Sequence, residues 1–419
     1  MIKSMVKGLI KLPDLTRAQW RLLALVALAA GFGSYSLALL PLALTQIQRG
    51  LAIPAEELGT ISAIIRLGAA PAFLFALSAD HFGRRRVLLL AITAYLLLTG
   101  LTALALTPFF FMLTQFGVRL FAAVAGILAL VMIIEEFPNE ARGWGIGVYT
   151  ALASVGGGSA ALLFAFVDVI PLGWRALFLV VLPALLLVGL WRTYLPETTR
   201  FQQQQTNHPS THGLRAWITP LATLASAYPG RFVLVGLVVL LFNLGGDAAL
   251  FYDPTYLQQQ HGWRPWQIAA LNLGAGFMAL VGSVVAGRAS DWVGRKWTTG
   301  AFLLAMPFFI IAYYQADGWR LPLFWSGLLF TSIGAAVTLS ALGSELFPTA
   351  YRATATGALS LIATLCGAGS LLVHGVLAQV VGSPWLAVTL LALLIAPAPL
   401  FLWALPETNG RPLEEIAPP

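Results

Sequence analysis

The chain has 419 residues, of which 58% are hydrophobic and 10% charged, against about 45–50% and about 25% in soluble domains. So few charges cannot cover the surface of a folded soluble protein of this size, which excludes an ordinary globular domain and makes the bilayer the expected solvent. The net charge of +7 comes from Lys and Arg in short runs between apolar stretches, a pattern of membrane orientation rather than nucleic-acid binding, and the single cysteine, Cys366, excludes an internal disulfide or a paired-cysteine metal or redox site.

Twelve apolar segments follow one another: 21–47, 57–79, 87–107, 109–134, 144–167, 174–195, 231–259, 266–289, 297–315, 320–344, 354–380 and 384–405. A helical crossing needs roughly 20 apolar residues. The runs are continuous rather than alternating, so the expected fold is an all-α membrane protein with twelve transmembrane helices, not a barrel. Lys3, Lys7 and Lys11 precede the first segment, whose apolar character runs to about Ile47. That exceeds the apolar core of a cleaved signal peptide, so the segment is expected to be retained. Alternate loops, with the N-terminal segment and the tail, carry 18 Lys and Arg, whereas the opposite loops carry only Arg49, Arg175, Arg264 and Arg320. This asymmetry places both termini in the cytoplasm. The polar stretch 196–230, with Gln202–Gln205 and Pro209, reads as a cytoplasmic linker between halves 1–195 and 231–419, and Leu214–Ala227 can form a short surface helix within it.

The chain repeats itself near half its length. Glu135, Phe137, Pro138, Arg142 and Gly147 match Glu345, Phe347, Pro348, Arg352 and Gly357 at 210 residues, as Leu195-Pro-Glu-Thr198 matches Leu405-Pro-Glu-Thr408. Asp80, Gly83, Arg84 and Arg85 match Asp291, Gly294, Arg295 and Lys296 at 211. Six spans separate the copies, so both have the same membrane orientation. A parallel repeat about an axis along the membrane normal follows.

Gly287-Arg-Ala-Ser-Asp291-Trp-Val-Gly294-Arg295-Lys296 and its partner Ala76-Leu-Ser-Ala-Asp80-His-Phe-Gly83-Arg84-Arg85-Arg86 resemble the loop between the second and third helices of each half in the major facilitator superfamily. The Leu-Pro-Glu-Thr ends and Glu345-Leu-Phe-Pro-Thr-Ala-Tyr-Arg352 resemble its sugar-porter and organic-ion branches. The resemblance spans the chain. It implies two six-helix bundles that alternate access to a central cavity lined by the first, fourth, seventh and tenth helices.

Charges at the helix ends suggest a cytoplasmic gate built from Asp80, Gly83, Arg84, Arg85, Glu135, Arg142, Glu197, Asp291, Gly294, Arg295, Glu345, Arg352 and Glu407. Gly83 and Gly294 permit tight turns. Exposed ion pairs contribute about 0–1 kcal/mol each, so several must act together to latch the halves in one state and release them in the other. The alternative is that these charges only orient and solubilise the loops.

A charge near mid-bilayer costs about 2.5–3.5 kcal/mol on insertion scales, so Arg66, Arg119 and Asp247 are expected to line a wet cavity or to pair with one another. Gln115 and Arg119, and likewise Asn243 and Asp247, are spaced to share a helix face. Gly245-Gly-Asp247-Ala-Ala-Leu-Phe251-Tyr252-Asp253-Pro254 resembles the sugar-porter Gly-x-Asn-Ala run with its aromatic pair and later Pro, but Asp247 replaces Asn and Leu241-Phe242 stand where a sugar-binding Gln pair belongs. Arg119 matches the helix-four arginine of proton-coupled sugar porters, while Gly33 occupies the position of its acidic partner. Asp247 is then the candidate proton carrier, with Arg119 beside it and His374 as a relay or a packing residue. Tyr35, Phe251 and Tyr252 offer rings for stacking on a substrate or for packing. Gly156–Gly158, Gly367 and Gly369 lie inside apolar helices, where small residues allow close approach.

The expected function is secondary transport of a small organic solute, an organic anion or carboxylate or a sugar-like molecule, by alternating access and coupled to protons. A neutral Asp247 favours an anion, and an ionised one a polyol or a cation. A facilitative uniporter and an organic-cation exporter stay open. A transporter-like nutrient sensor is a further class, disfavoured by the short tail after Leu405. No zincin, nucleophile-elbow or P-loop motif supports an enzyme. Neither a cofactor nor a metal is expected; the partners are the solute, protons and the bilayer, and the chain is expected as a monomer in the cell membrane.

Overall fold

The computed structural model describes residues 13–198, 223–224, 226–348 and 351–409. Most of the expected linker, including most of Leu214–Ala227, lies outside them. Among the described residues, twelve helices are long and apolar enough to span a membrane: α1 (Arg17–Leu42), α2 (Ala55–Ala76), α3 (Arg84–Thr102), α4 (Pro108–Glu136), α5 (Glu140–Phe164), α6 (Trp174–Tyr194), α7 (Pro229–His261), α8 (Pro265–Val293), α9 (Arg295–Tyr314), α10 (Arg320–Glu345), α11 (Thr354–Val381) and α12 (Pro384–Trp403). Lipid offers no hydrogen bonds to a backbone, so each apolar run closes its own i→i−4 ladder.

Sequence signals set the ends. Thr16 and Gln19 form a capping box that starts α1, and Pro108 and Pro384 occupy first turns behind the capping side chains of Thr107 and Ser383. The first apolar run does not continue to Ile47 as one helix; it breaks at Ala43 and resumes as Leu44–Gly50. Within α2 the helix stops at Leu67 and restarts at Ala72, because Pro71 cannot donate to the ladder.

Packing follows the repeat. In the first half α1 packs on α5 and α3 on α4; the equivalents α7 on α11 and α9 on α10 recur in the second. The halves meet through α2 on α11 and, symmetrically, α5 on α8. Leu74, Leu106, Phe109, Leu186 and Val380 are among many large apolar side chains left on the outside, as expected where hydrocarbon is the solvent.

The contact between halves is lopsided. On the face opposite the Gly83 and Gly294 turns, Gln46 Nε2 donates to Gln258 Oε1 at 2.8 Å and Gln259 Nε2 to Gln48 Oε1 at 3.4 Å. Near them Gly59 presses on α11, with backbone of Leu371 and Gly375 2.8 and 3.0 Å from where a Cβ would stand. On the face of the turns, no hydrogen bond or ion pair among the described residues joins the halves.

Candidate functional site

Arg66 sits in the last turn before the break in α2, and Gly68 in that break leaves room for Arg119 of α4, whose Cβ lies 3.2 Å from the place a Gly68 Cβ would take. Across the interface Arg66 Nη2 donates to Asp247 Oδ2 of α7 at 2.6 Å, with 21% and 15% of the two side chains exposed. Arg119 is half-buried and makes no hydrogen bond or ion pair with any described residue, yet Arg66 repels its charge and Asp247 attracts it. Two cations therefore face one anion at membrane depth, an arrangement that leaves one positive charge for a ligand.

The other expected binding residues point elsewhere. Tyr35 donates its hydroxyl to the Leu177 carbonyl at 2.7 Å, and Gln115, turned toward α3, donates to Thr102 Oγ1 at 2.9 Å. The spacing of Gln115 and Arg119 thus does not bring both to one ligand, because the amide found a buried hydroxyl inside its own bundle. Asn243 donates to the Val239 carbonyl of its own helix at 2.7 Å. Phe251 meets Tyr252 edge-on at 5.0 Å, and the buried Tyr252 ring lies over His374 at 4.3 Å. His374 Nε2 is 3.0 Å from the Pro384 carbonyl.

A second acid lies at depth on α7. Asp253, directly before Pro254 on α7, is fully buried, accepts from Tyr313 Oη and lies 3.4 Å from the Asn272 amide. Its partners come from α8 and α9, so only the packing shows that it is satisfied within one half. Thr150 and Ser154 on α5 and Thr356 on α11 are exposed, and each donates its hydroxyl to the carbonyl four residues back in its own helix. A cavity of about 500 Å³ opens between α1, α5 and α6, lined by Gly31, Tyr35, Leu152, Gly156 and Val180 among others. Its walls are apolar and hold none of the charged candidates.

Among the described residues, the expected gate residues form ion pairs within each half. Arg84 bonds Glu135 at 3.3 Å, and Arg295 bonds Glu345 at 3.3 Å and also Asp291. The Nε groups of Arg142 and Arg352 donate to the carbonyls of Phe137 and Ser344 at 3.1 and 2.9 Å, closing helix ends. Glu197 accepts from the Arg85 N–H at 3.1 Å, and Glu407 from the N–H groups of Arg295 and Lys296 at 2.8 and 3.2 Å, so both cap the first turn of a span. Gly83 and Gly294 have φ of 96° and 115°, as a tight turn requires. The side chain of Asp80 lies outside the described residues. Among those residues, no cluster of His, Cys, Asp and Glu could hold a metal ion.

Relatives share this plan. The cis,cis-muconate transport protein of Acinetobacter baylyi is 27% identical over 350 residues, 81% of this chain and 83% of that one. The sialic acid transporter of Escherichia coli is 27% identical over 73% of each chain. In fold, the inward-open xylose transporter of E. coli matches with a TM-score of 0.76 at 18% identity, covering 95% of this chain and 99% of that one. The family model of the Major Facilitator Superfamily matches residues 23–371. With twelve spans in two repeated halves and charged side chains at their junction, the chain belongs to the Major Facilitator Superfamily, a multi-pass secondary transporter of small metabolites and not an enzyme.

Proposed function

We propose that the chain carries a small organic carboxylate together with a proton, through a site formed by Arg66, Arg119 and Asp247. One observation carries this reading: Arg119 is a half-buried cation at membrane depth that makes no hydrogen bond or ion pair with any described residue, beside an ion pair that already uses Asp247. An unpaired guanidinium there is stable only in water or against an anion, and its planar fork suits a carboxylate. Two relatives, named as muconate and sialic acid transporters, carry carboxylates. Asp247 is the proton carrier in this reading, because it is the acid in reach of both arginines.

The orientation proposed from the basic loops puts both termini in the cytoplasm of a cell-membrane protein. The closed glutamine face is then extracellular, and the site faces inward. The test is a thermal-shift screen of purified protein against benzoate, cis,cis-muconate, sialic acid, neutral sugars and quaternary amines, followed by proteoliposome uptake with and without a pH gradient. Stabilisation by carboxylates and gradient-driven uptake are expected. Stabilisation by neutral sugars or cations alone would overturn the reading.

A further inference from the structure

The cavity of about 500 Å³ between α1, α5 and α6 is a cleft with a charged end. Its floor is the face of α1 that carries Ala24, Leu28 and Gly31, and its walls include Leu152 and Val155 of α5 and Val180 of α6. Val155 and Val180 are 64% and 50% exposed. Since α6 packs on α1, α3 and α5 of its own half, the cleft it walls lies on the outer side of that half, away from the junction that holds Arg66 and Asp247.

Local sequence makes the cleft. Pro183 lacks an N–H, and α6 leaves α-helical geometry at Val180 and continues as a 3-10 stretch over Leu182–Leu187. Gly156 meets α1 so closely that a Cβ on it would stand 1.9 Å from the Gly31 carbonyl oxygen. The polar side chains of the lining are already committed: Tyr35 donates to the Leu177 carbonyl and Ser159 to the Gly156 carbonyl, each at 2.7 Å. With no side-chain hydrogen-bonding group to spare, the cleft suits hydrocarbon rather than a carboxylate or a sugar.

Arg17, Arg21, Ala24, Leu28, Gly31 and Tyr35 follow one another at steps of three and four residues, so two cations continue the floor of the cleft along one face of α1. Both arginines are exposed and make no hydrogen bond or ion pair with any described residue; Arg21 lies over the Tyr194 ring of α6 at 5.5 Å. In the second half, Arg231 stands 210 residues after Arg21 and donates to the Leu346 carbonyl at 3.2 Å. From Ala24 to Tyr35 the helix rises about 16 Å, close to the depth of one leaflet in a hydrocarbon core about 30 Å thick. We propose that the cleft holds one acyl chain of an anionic phospholipid whose phosphate rests on Arg21 and Arg17. A zwitterionic lipid fills the same space but brings no net charge to the two cations. The site is separate from the carboxylate reading above and does not depend on it.

The test uses the full chain in phosphatidylcholine liposomes with a trace of phosphatidylglycerol carrying a diazirine in its acyl chain, or of phosphatidylcholine carrying the same chain. After illumination, labelled peptides are located by mass spectrometry. The phosphatidylglycerol probe is expected to label residues 24–35 and 152–163 about fivefold or more above the phosphatidylcholine probe, with no such excess at the exposed Phe308 on α9. Arg17→Gln combined with Arg21→Gln should bring the two probes level in the cleft. Val155→Trp, which puts a large ring on an exposed wall, should remove labelling of residues 24–35 by both probes; should that variant not fold, the arginine variant decides alone. Equal labelling by the two probes in wild type, an excess that survives the arginine variant, or the same excess at Phe308 would overturn the proposal.

Discussion

Glu407 accepts a hydrogen bond from the backbone N–H of Arg295 at 2.8 Å, so the chain that leaves the last span returns to cap the start of α9. Glu197 makes the same contact with Arg85 at 3.1 Å in the first half. An anion at a helix N-terminus satisfies free N–H groups and meets the positive end of the helix dipole. Glu407→Ala is expected to destabilise the protein by about 1–2 kcal/mol, read as a lower Tm in detergent. An unchanged Tm would show the cap to be incidental.

Gly294 stands at φ 115°, and a Cβ on it would lie 2.6 Å from the Glu407 carboxylate. Gly294→Ala therefore strains the turn and pushes the cap away, with an expected cost of about 1–3 kcal/mol. The same substitution combined with Glu407→Ala should cost less than the sum of the two, because both remove one contact.

Asp291 is 60% exposed and pairs with Arg295 four residues on. An exposed pair of this kind contributes about 0.3–0.5 kcal/mol. Asp291→Asn should thus leave Tm nearly unchanged, while a shift in labelling of Thr150→Cys in a Cys366→Ser background would report a changed balance of conformations.

Arg66 and Asp247 should show strong non-additivity. Each single neutralisation, Arg66→Gln or Asp247→Asn, strands the other charge, whereas the double variant strands neither. A coupling of about 0.5–3 kcal/mol is expected from denaturation of the four proteins. Additive effects would mean the pair is not formed in the membrane.

Arg119→Gln tests the opposite case. With no hydrogen bond or ion pair to a described residue to lose, the variant should keep the wild-type Tm in the absence of solute. At a carboxylate concentration 100 times its Kd, wild type gains about 2.7 kcal/mol; the variant is expected to gain none. A lower Tm without solute would place Arg119 in the structure rather than the site.

The number of spans, the repeat and the tight turns were legible because each rests on local chemistry. An apolar run of about 20 residues has few alternatives to a membrane helix, and a glycine repeated at the same motif position marks the same backbone turn twice. Spacing was a weaker guide to side chains. Gln115 stands one turn from Arg119 on α4, but the direction of an amide depends on the nearest acceptor, and Thr102 on another helix supplied it.

By itself the sequence determined the solvent, the helices and the duplication, since these follow from composition and periodicity along one strand of chain. Only the tertiary structure decided which charges meet. Arg66 and Asp247 are 181 residues apart, and their pairing, like the absence of a hydrogen bond or ion pair from Arg119 to any described residue, depends on how α2, α4 and α7 pack. Electrostatic energy depends on distance in space, and no local pattern encodes that distance.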